Sequence, residues 1–468
     1  MKIEQIYTGC LAQGAYYIES NGEVAIIDPL REVQPYIDKA KADNAKITYI
    51  FETHFHADFV SGHVTLAKKT GATIVYGPNA KPTFEATIAK DFQEFQLGDI
   101  TIIALHTPGH TMESTTFLLR DQDGKDHAIF SGDTLFLGDV GRPDLAQKIG
   151  ELTVDDLASH LYDSLREKIM QLADDVIVYP AHGAGSACGK NMMKETVDTL
   201  GNQKKVNYAL RTDMTRAEFI KEVTDGLLPP PSYFPENVKL NKEGYEDISN
   251  IIKRGITAFL PTEFEVIANE TNAIVLDVRH QDEFVKGHIP RSIFIGLQGS
   301  FAPWVGALIA DIQQPILLVT PKGKEEETIT RLSRVGFDNT IGYLQDGFDA
   351  WKNAAKEYDT ISSISPEIFQ EVYQETIAVF DVRREGEFNA EHVIDAKNTP
   401  LDYLNNHLAE FPQEEIFYMH CAGGYRSVIA LSILKSRGFH NGINVANGFK
   451  GIKETEVPIS NFVCPSNS

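Results

Sequence analysis

The chain has 468 residues, enough for about three domains at roughly 150 residues each. Hydrophobic residues make up 42% and charged residues 23%, a globular balance. Acidic residues outnumber basic ones 66 to 43, for a formal net charge of -23, so no nucleic-acid partner is expected of a surface that repels phosphate. No apolar run approaches the roughly 20 residues of a membrane helix, so no membrane partner is expected either. The start, MKIEQIYTGC, shows no basic region followed by an apolar stretch, which predicts a cytoplasmic chain. Four cysteines, Cys10, Cys188, Cys421 and Cys464, do not make a disulfide framework and fit a reducing compartment.

Short apolar runs predict strands at Glu23–Ile27, Ile47–Phe51, Thr73–Tyr76, Ile100–Leu105, Thr115–Leu119, Ala128–Phe130 and Val176–Tyr179. Thr153, with Asp156 three residues on, caps a helix whose apolar positions recur at Val154, Leu157, Leu161, Leu165, Ile169 and Leu172. The run Leu228-Pro229-Pro230-Pro231-Ser232-Tyr233-Phe234-Pro235 reads as a stiff connecting arm that leaves the first domain. Beyond it lies an internal repeat. Asp277-Val278-Arg279, Glu283-Phe284 and His288-Ile289 recur as Asp381-Val382-Arg383, Glu387-Phe388 and His392-Val393. Gly336-Phe337 and Gly347-Phe348 recur as Gly438-Phe439 and Gly448-Phe449. A period near 100 residues means two duplicated domains, each alternating strand and helix around a parallel sheet. The expected organisation is therefore 1–245, including the arm, then 246–358 and 359–468.

Ionisable residues gather just past apolar strands in the first domain. They are His54, His56 and Asp58 in Thr53-His54-Phe55-His56-Ala57-Asp58-Phe59, His110 in Thr107-Pro108-Gly109-His110, Asp133 in Ser131-Gly132-Asp133-Thr134, and His182 in Tyr179-Pro180-Ala181-His182. Strand ends are where binding sites collect in layered α/β folds. Imidazole and carboxylate donors suit iron, zinc or manganese, and with no cysteine in the group a structural zinc site is not expected.

Over residues 1 to about 200 this pattern resembles the metallo-β-lactamase superfamily, which implies an αββα sandwich. Its first motif is H-x-H-x-D-H, and here Phe59 stands where the last histidine helps hold a second ion. A mononuclear site is the simpler reading. Within the superfamily the chain looks most like the persulfide dioxygenases. That resemblance implies one Fe(II) per chain, held by His54, His110 and Asp133, with His56, Asp58 and His182 orienting ligands or binding substrate. The segment Gly141-Arg142-Pro143-Asp144 resembles one whose arginine contacts substrate, and Arg142 has the fork to clamp a carboxylate. Gly183-Ala184 after His182 departs from the Asp-Tyr of glutathione-persulfide enzymes. Cys188, six residues after His182 in a glycine-rich loop, is a candidate sulfur relay.

The strand Ile416–Met419 leads into His420-Cys421-Ala422-Gly423-Gly424-Tyr425-Arg426-Ser427, and Val428, Leu431 and Leu434 then keep helical spacing. A cysteine in a small-residue loop feeding a helix, with an arginine nearby, is placed to carry negative charge. This C-x-x-G-x-R loop resembles that of rhodanese sulfurtransferases over about 365–455. The resemblance makes Cys421 the persulfide carrier and Arg426 the residue that shapes its loop. The first copy, about 262–355, also resembles rhodanese, but Thr320 stands nearest the cysteine's place, so it is expected to be an inactive scaffold. Cys10 reads as a packing residue, and Cys464 lies in a polar tail, Pro465-Ser466-Asn467-Ser468, expected to be mobile.

Together the domains resemble multidomain persulfide dioxygenase–sulfurtransferases. The expectation is an α/β multidomain enzyme that oxidises low-molecular-weight persulfides with O2. Cys421 would pass a sulfane sulfur to sulfite, giving thiosulfate in sulfide detoxification. Its partners are then small-molecule persulfides, O2 and sulfite, and the family resemblance suggests a homo-oligomer. The alternative is a glyoxalase II-like thioester hydrolase with accessory rhodanese domains.

Overall fold

The computed structural model describes residues 1–146, 152–374 and 377–463. Cys464 and the polar tail lie outside the described residues. The chain divides into two compact units, one of Met1–Ile248 with Ser333–Gly336, the other of Ser249–Leu332 with Phe337–Ser468.

Among the described residues, the first unit holds twelve strands in two six-stranded sheets. One sheet runs in chain order through β1 (Lys2–Thr8), β2 (Gln13–Ser20), β3 (Glu23–Ile27), β4 (Lys46–Glu52), β5 (Thr73–Tyr76) and β6 (Thr87–Ile88). The other contains β7 (Gln93–Leu97), β8 (Ile100–His106), β9 (Thr115–Arg120), β10 (Asp126–Gly132), β11 (Ile177–Pro180) and β12 (Asp198–Thr199). Side-chain alternation along each strand sorts the layers. In β2, Tyr16 and Ile18 face the space between the sheets with Phe51, Phe117 and Phe130. Ala15 and Tyr17 face the other way, against Tyr36 of α1 (Gln34–Ala42) and Leu66 of α2 (His63–Thr70). In β8, Ile102 and Ala104 point inward, while Ile103 and Leu105 face the helix layer, in the cluster that holds Leu161 and Leu165. The result is the four-layer αββα sandwich.

The helix capped by Thr153 forms as α3 (Val154–Ser164), with Thr153 Oγ1 accepting from Asp156 N at 3.1 Å and Thr153 N donating to Asp156 Oδ2 at 2.9 Å. The apolar spacing predicts one continuous helix to Leu172. Instead Leu165–Ile169 forms a wider π turn, closed by Met170 N on Leu165 O at 2.9 Å. The widened turn keeps Leu165 and Ile169 both buried while Arg166 reaches the carbonyls of Ala209 and Arg211. Two more helices, α4 (Leu200–Val206) and α5 (Arg216–Thr224), complete that side.

The proline run does not carry the chain away from the first unit. Pro235 sits in the first turn of α6 (Phe234–Glu243), which stops at Gly244, φ 95°. Tyr233 is buried with its O–H on Asp58 O at 3.3 Å. Asn241 donates to His56 O and Phe59 O, both at 2.8 Å, and accepts from Ser61 N at 2.8 Å. The arm read from the prolines is therefore a short link into a helix that clamps the histidine motif. Among the described residues, no helix is long and apolar enough to cross a membrane.

The second unit contains the repeat as two five-stranded sheets. The first comprises β13 (Ala258–Phe259), β14 (Ile274–Asp277), β15 (Ile293–Phe294), β16 (Ile316–Val319) and β17 (Thr340–Leu344), ordered β13-β17-β16-β14-β15. The second comprises β18 (Ser363–Ile364), β19 (Ala378–Asp381), β20 (Lys397–Asn398), β21 (Phe417–His420) and β22 (Gly442–Val445), ordered β18-β22-β21-β19-β20. Every neighbouring pair is parallel, and the two orders are the same topology. The repeated landmarks are structural supports. Arg279 pairs with Asp277 and donates to Gly287 O, and its guanidinium lies 4.3 Å from the Phe348 ring centroid. Arg383 repeats this with Asp381, Glu391 O and Phe449, at 4.0 Å from the ring. His288 stacks on Phe284 and His392 on Phe388, with centroids 4.0 Å apart in both copies.

Candidate functional site

The four strand-end segments of the first unit converge at one rim of the sandwich. His54 and His110 each turn Nε2 toward Asp133 Oδ2, at 3.8 and 3.4 Å, and His182 Nε2 lies 3.5 Å from Asp133 Oδ1. His54, His110 and Asp133 offer ligand atoms within 4.8 Å of one another, and all three are buried. Neither oxygen of Asp133 has a hydrogen-bond partner among the described residues. A buried carboxylate without donors is costly, and imidazole lone pairs facing it do not relieve the cost. A divalent cation among the three does, so the residues fit a bound metal ion. Gly132 (φ +54°) makes the turn that aims Asp133, and a Cβ there would lie 2.6 Å from Thr53 Cβ.

Neighbouring groups set the tautomers. Thr53 Oγ1 donates to Asp28 Oδ2 at 2.8 Å, so it accepts from His54 Nδ1 at 3.0 Å. His110 Nδ1 lies 2.8 Å from the Arg142 carbonyl, which only accepts. Both rings therefore carry the proton on Nδ1 and leave Nε2 free for a ligand bond. Burial, then the cationic forms of His56, His110 and His182, pushes the His54 pKa well down and favours the neutral ring.

His56 turns away from this trio. Its Nε2 lies 3.1 Å from Asp28 Oδ1 and 3.8 Å from Glu52 Oε2. Burial opposes its charge, but Asp28, Glu52 and Asp58 outweigh that and raise its pKa to about 9. Glu52 is pushed well up by burial and by Asp28, and Ser61 Oγ donates to its Oε1 at 2.6 Å. Asp28 and Glu52 were missed in the sequence, although Asp28 follows β3 as directly as Asp133 follows β10. Asp58 Oδ2 lies 3.5 Å from His182 Nδ1, and burial raises its pKa. The fully buried Phe59 ring packs 4.4 Å from the His56 centroid and 6.4 Å from that of His182.

Cys188, left outside the donor group by its sequence position, has its sulfur within 4.8 Å of ligand atoms of Asp133 and His182. It is buried, and burial, then Asp58 and Asp133, pushes its thiol pKa well up. The Arg142 guanidinium is buried and its fork is filled by Asp144, at 2.6 and 2.7 Å. Its backbone N–H donates to Cys188 O at 3.0 Å, so Arg142 joins the His110 and Cys188 loops.

In the second unit Cys421 follows β21, and its buried sulfur accepts from Gly424 N at 3.1 Å, with Ser427 Oγ at 3.6 Å. Gly424 (φ +95°) makes the turn into the helix Tyr425–Ser436, so the sulfur sits at a helix N-terminus, where negative charge is favoured. Among the described residues Arg426 makes no hydrogen bond to the sulfur. It forms a two-point pair with Glu387, at 2.6 and 2.8 Å. In the first copy Val319 pairs with Asp277 as His420 pairs with Asp381, so Thr320 occupies the cysteine's register. Its hydroxyl donates to Glu325 Oε1 at 3.2 Å.

The metallo-β-lactamase superfamily profile matches residues 8–182, and the rhodanese-like domain profile matches 260–354 and 365–455. Cytoplasmic hydroxyacylglutathione hydrolase of Arabidopsis thaliana is 32% identical over 187 residues, 39% of this chain and 67% of that enzyme. The chain spans 60% of a hydroxyacylglutathione hydrolase of Tolumonas auensis and 60% of a probable hydroxyacylglutathione hydrolase of Schizosaccharomyces pombe. Human mitochondrial persulfide dioxygenase ETHE1 is 28% identical over 221 residues, 47% of this chain and 78% of its own. A crystal structure of a metallo-β-lactamase from Staphylococcus aureus subsp. aureus COL is 31% identical with a TM-score of 0.66, covering 73% of this chain and 99% of that one.

Proposed function

Given that the chain belongs to the metallo-β-lactamase superfamily and carries two rhodanese-like domains, we propose that it is a persulfide dioxygenase joined to a thiosulfate-forming sulfurtransferase. The carrying observation is the pairing of a three-donor set, His54, His110 and Asp133, with Phe59 packed against His56 and His182. That arrangement favours one ion with an open face over two bridged ions. Iron(II), one per chain, supplies electrons to O2 and a docking point for sulfur when bound. The net change is RSSH + O2 + H2O to RSH, sulfite and two protons.

The chain's own residues prepare this reaction. Thr53 and the Arg142 carbonyl hold the two imidazoles with Nε2 free for a ligand bond. Asp28 fixes Thr53 from behind. Phe59 keeps one flank of the site dry and apolar. In the sulfurtransferase, Cys421 attacks the outer sulfur of a persulfide and the carrier thiol leaves. The Gly424 N–H holds the cysteine sulfur in place. Sulfite then attacks the outer sulfur, forming thiosulfate and restoring the cysteine. Arg426, held by Glu387, shapes the loop, and the Thr320 copy acts as scaffold. Cys188 is a candidate relay of sulfane sulfur from the metal site. Unchanged turnover and unchanged persulfidation in Cys188→Ser would remove that role.

Oxygen uptake by the Fe(II)-loaded chain with a small-molecule persulfide tests the proposal. Uptake that disappears in His110→Ala supports it, as does a product shift from thiosulfate to sulfite in Cys421→Ser. A second reading, thioester hydrolysis like that of glyoxalase II, draws on the hydroxyacylglutathione hydrolase matches and on the cluster of His56, Asp58 and His182. Two zinc ions per chain and thioester turnover without O2 would favour it.

A further inference from the structure

The Cys421 sulfur ends a line of polar side chains. Ser427 Oγ lies 3.6 Å from Sγ and donates to Asn444 Oδ1 at 2.8 Å, and Asn444 Nδ2 donates to Ser363 Oγ at 2.9 Å. Cys421, Ser427 and Asn444 are buried, and Ser363 is exposed. A hydroxyl has one proton to give. Ser427 gives it to Asn444, so toward the sulfur it offers lone pairs, which suit a thiol S–H and not an anion.

The duplication supplies a control. In the second sheet Asn444 of β22 is in register with Met419 of β21 and Ser363 of β18. In the first sheet the same registers hold Tyr343 of β17, Leu318 of β16 and Ala258 of β13. Glu326 follows Thr320 by six residues, as Ser427 follows Cys421, and it is exposed. The same topology therefore forms without serine, asparagine and serine at these three places. All three stand in the copy that has the cysteine.

We propose that Ser427, Asn444 and Ser363 form a reversible line of hydrogen bonds, donating away from the resting Cys421 thiol and toward its anionic persulfide. This rests on the sulfurtransferase reading of Cys421. A half-turn of the Asn444 amide exchanges its oxygen and nitrogen. Ser363 Oγ then donates to Oδ1, Nδ2 donates to Ser427 Oγ, and Ser427 gives its proton to the sulfur. Each member keeps a partner in both directions, and the exposed Ser363 end also has water to bond. In the transfer, Cys–SH and RSS⁻ give Cys–S–S⁻ and RSH, so the thiol proton leaves with the carrier. Sulfite then takes the outer sulfur, leaving Cys–S⁻ and thiosulfate. Both cysteine-bound anions call for the reversed direction. Asn444 acts through Ser427 and is a positioning residue.

The test uses the full-length chain under nitrogen, with glutathione persulfide and sulfite as substrates and thiosulfate as the readout. Asn444→Asp, as a carboxylate, offers only acceptors and holds the Ser427 proton away from the sulfur. It is expected to lower kcat about tenfold or more, the effect of losing a hydrogen bond to an anion. Asn444→Leu has nearly the same size, accepts nothing and leaves the Ser427 proton to the sulfur, so its kcat is expected to stay within about threefold of the wild type. Ser427→Ala is expected to lose as much as Asn444→Asp, and Ser427→Thr to recover most of it. Adding Asn444→Asp to Ser427→Ala is expected to cost nothing more, because the two act as one unit. Equal losses in Asn444→Asp and Asn444→Leu would assign the amide to packing and overturn the proposal. So would a further loss in the double variant, or full activity in Ser427→Ala. Alkylation of Cys421 by iodoacetamide, followed by mass spectrometry, reads the thiolate without turnover, and the same order of variants is expected. That order, with no thiosulfate formed by the wild type, overturns the sulfurtransferase reading and keeps the line of hydrogen bonds.

Discussion

The O–H of Tyr425 donates to the carbonyl of Gly296 at 2.7 Å, linking the residue beside Arg426 to the repeat copy that has threonine in place of cysteine. The Tyr425 ring also meets Phe294 edge-on at 5.7 Å, and Phe294 N donates to Ser432 Oγ at 3.0 Å. The helix whose N-terminus holds the Cys421 sulfur is thus docked on β15 of the other copy. The threonine copy thus braces the helix that follows the cysteine loop.

Tyr425→Phe keeps the ring and removes this hydrogen bond. Losing about 1 kcal/mol at one end of the loop is expected to slow sulfur transfer several-fold. Thiosulfate formation from sulfite and a persulfide reads the effect. Oxygen uptake at the first unit provides the internal reference. Equal transfer rates in variant and wild type would show that the loop needs no such anchor.

The Thr53 hydroxyl determines which nitrogen of His54 faces the metal site. Thr53→Val preserves the shape and leaves Nδ1 without its acceptor. Metal affinity is expected to fall about 10- to 100-fold, and Thr53→Ser is expected to recover most of it. Competition with a chelator measures both. Equal affinity in Thr53→Val would mean that Asp28 and Thr53 serve packing alone.

Much of this site is legible in the sequence because strand ends announce it. Glu23–Ile27 and Thr73–Tyr76 form at the residues the apolar runs mark, and the His54, His110, Asp133 and His182 segments meet. What stays hidden depends on partners distant in sequence. Lys2–Thr8 mixes polar and apolar residues because it is a half-exposed edge strand paired with β2. Asp28 is one aspartate among many until Thr53 and His56 come to it from 25 and more residues away. The prolines before α6 do stiffen the chain, but Asn241 and Tyr233 show their function only against the backbone of the histidine motif. Arg142 has the residue type for a substrate clamp, and only the fold reveals Asp144 in its fork.

Phe59 lies against His56 and His182, where Asp58 also contributes a carboxylate. Phe59→His places a third nitrogen donor beside that pair. Metal content after zinc loading is expected to rise from about one toward two ions per chain, the stoichiometry of bridged sites. Elemental analysis reads the change. A second ion already present in the wild type would count against the mononuclear proposal.

His288 gives the second unit a pH-dependent stability. Its ring stacks on Phe284 at 4.0 Å, and its Nδ1 lies 3.0 Å from Phe284 O. Burial lowers its pKa to about 4; the Phe284 carbonyl and Asp359 oppose this, while Lys435 and Arg279 add to it. The unfolded chain takes up the proton near the ordinary value of 6.5, and the folded chain does so only near 4. Stability from the neutral ring is therefore complete above pH 6.5 and is lost as the pH falls toward 4, by up to about 3 kcal/mol. Trp304 and Trp351 are the chain's two tryptophans and both lie in this unit, so their fluorescence follows its unfolding alone. Urea midpoints are expected to fall between pH 7 and pH 5 in the wild type. The fall should be smaller in His288→Gln, which has no group to protonate there. Parallel pH profiles for the two chains would assign the acid sensitivity to other groups.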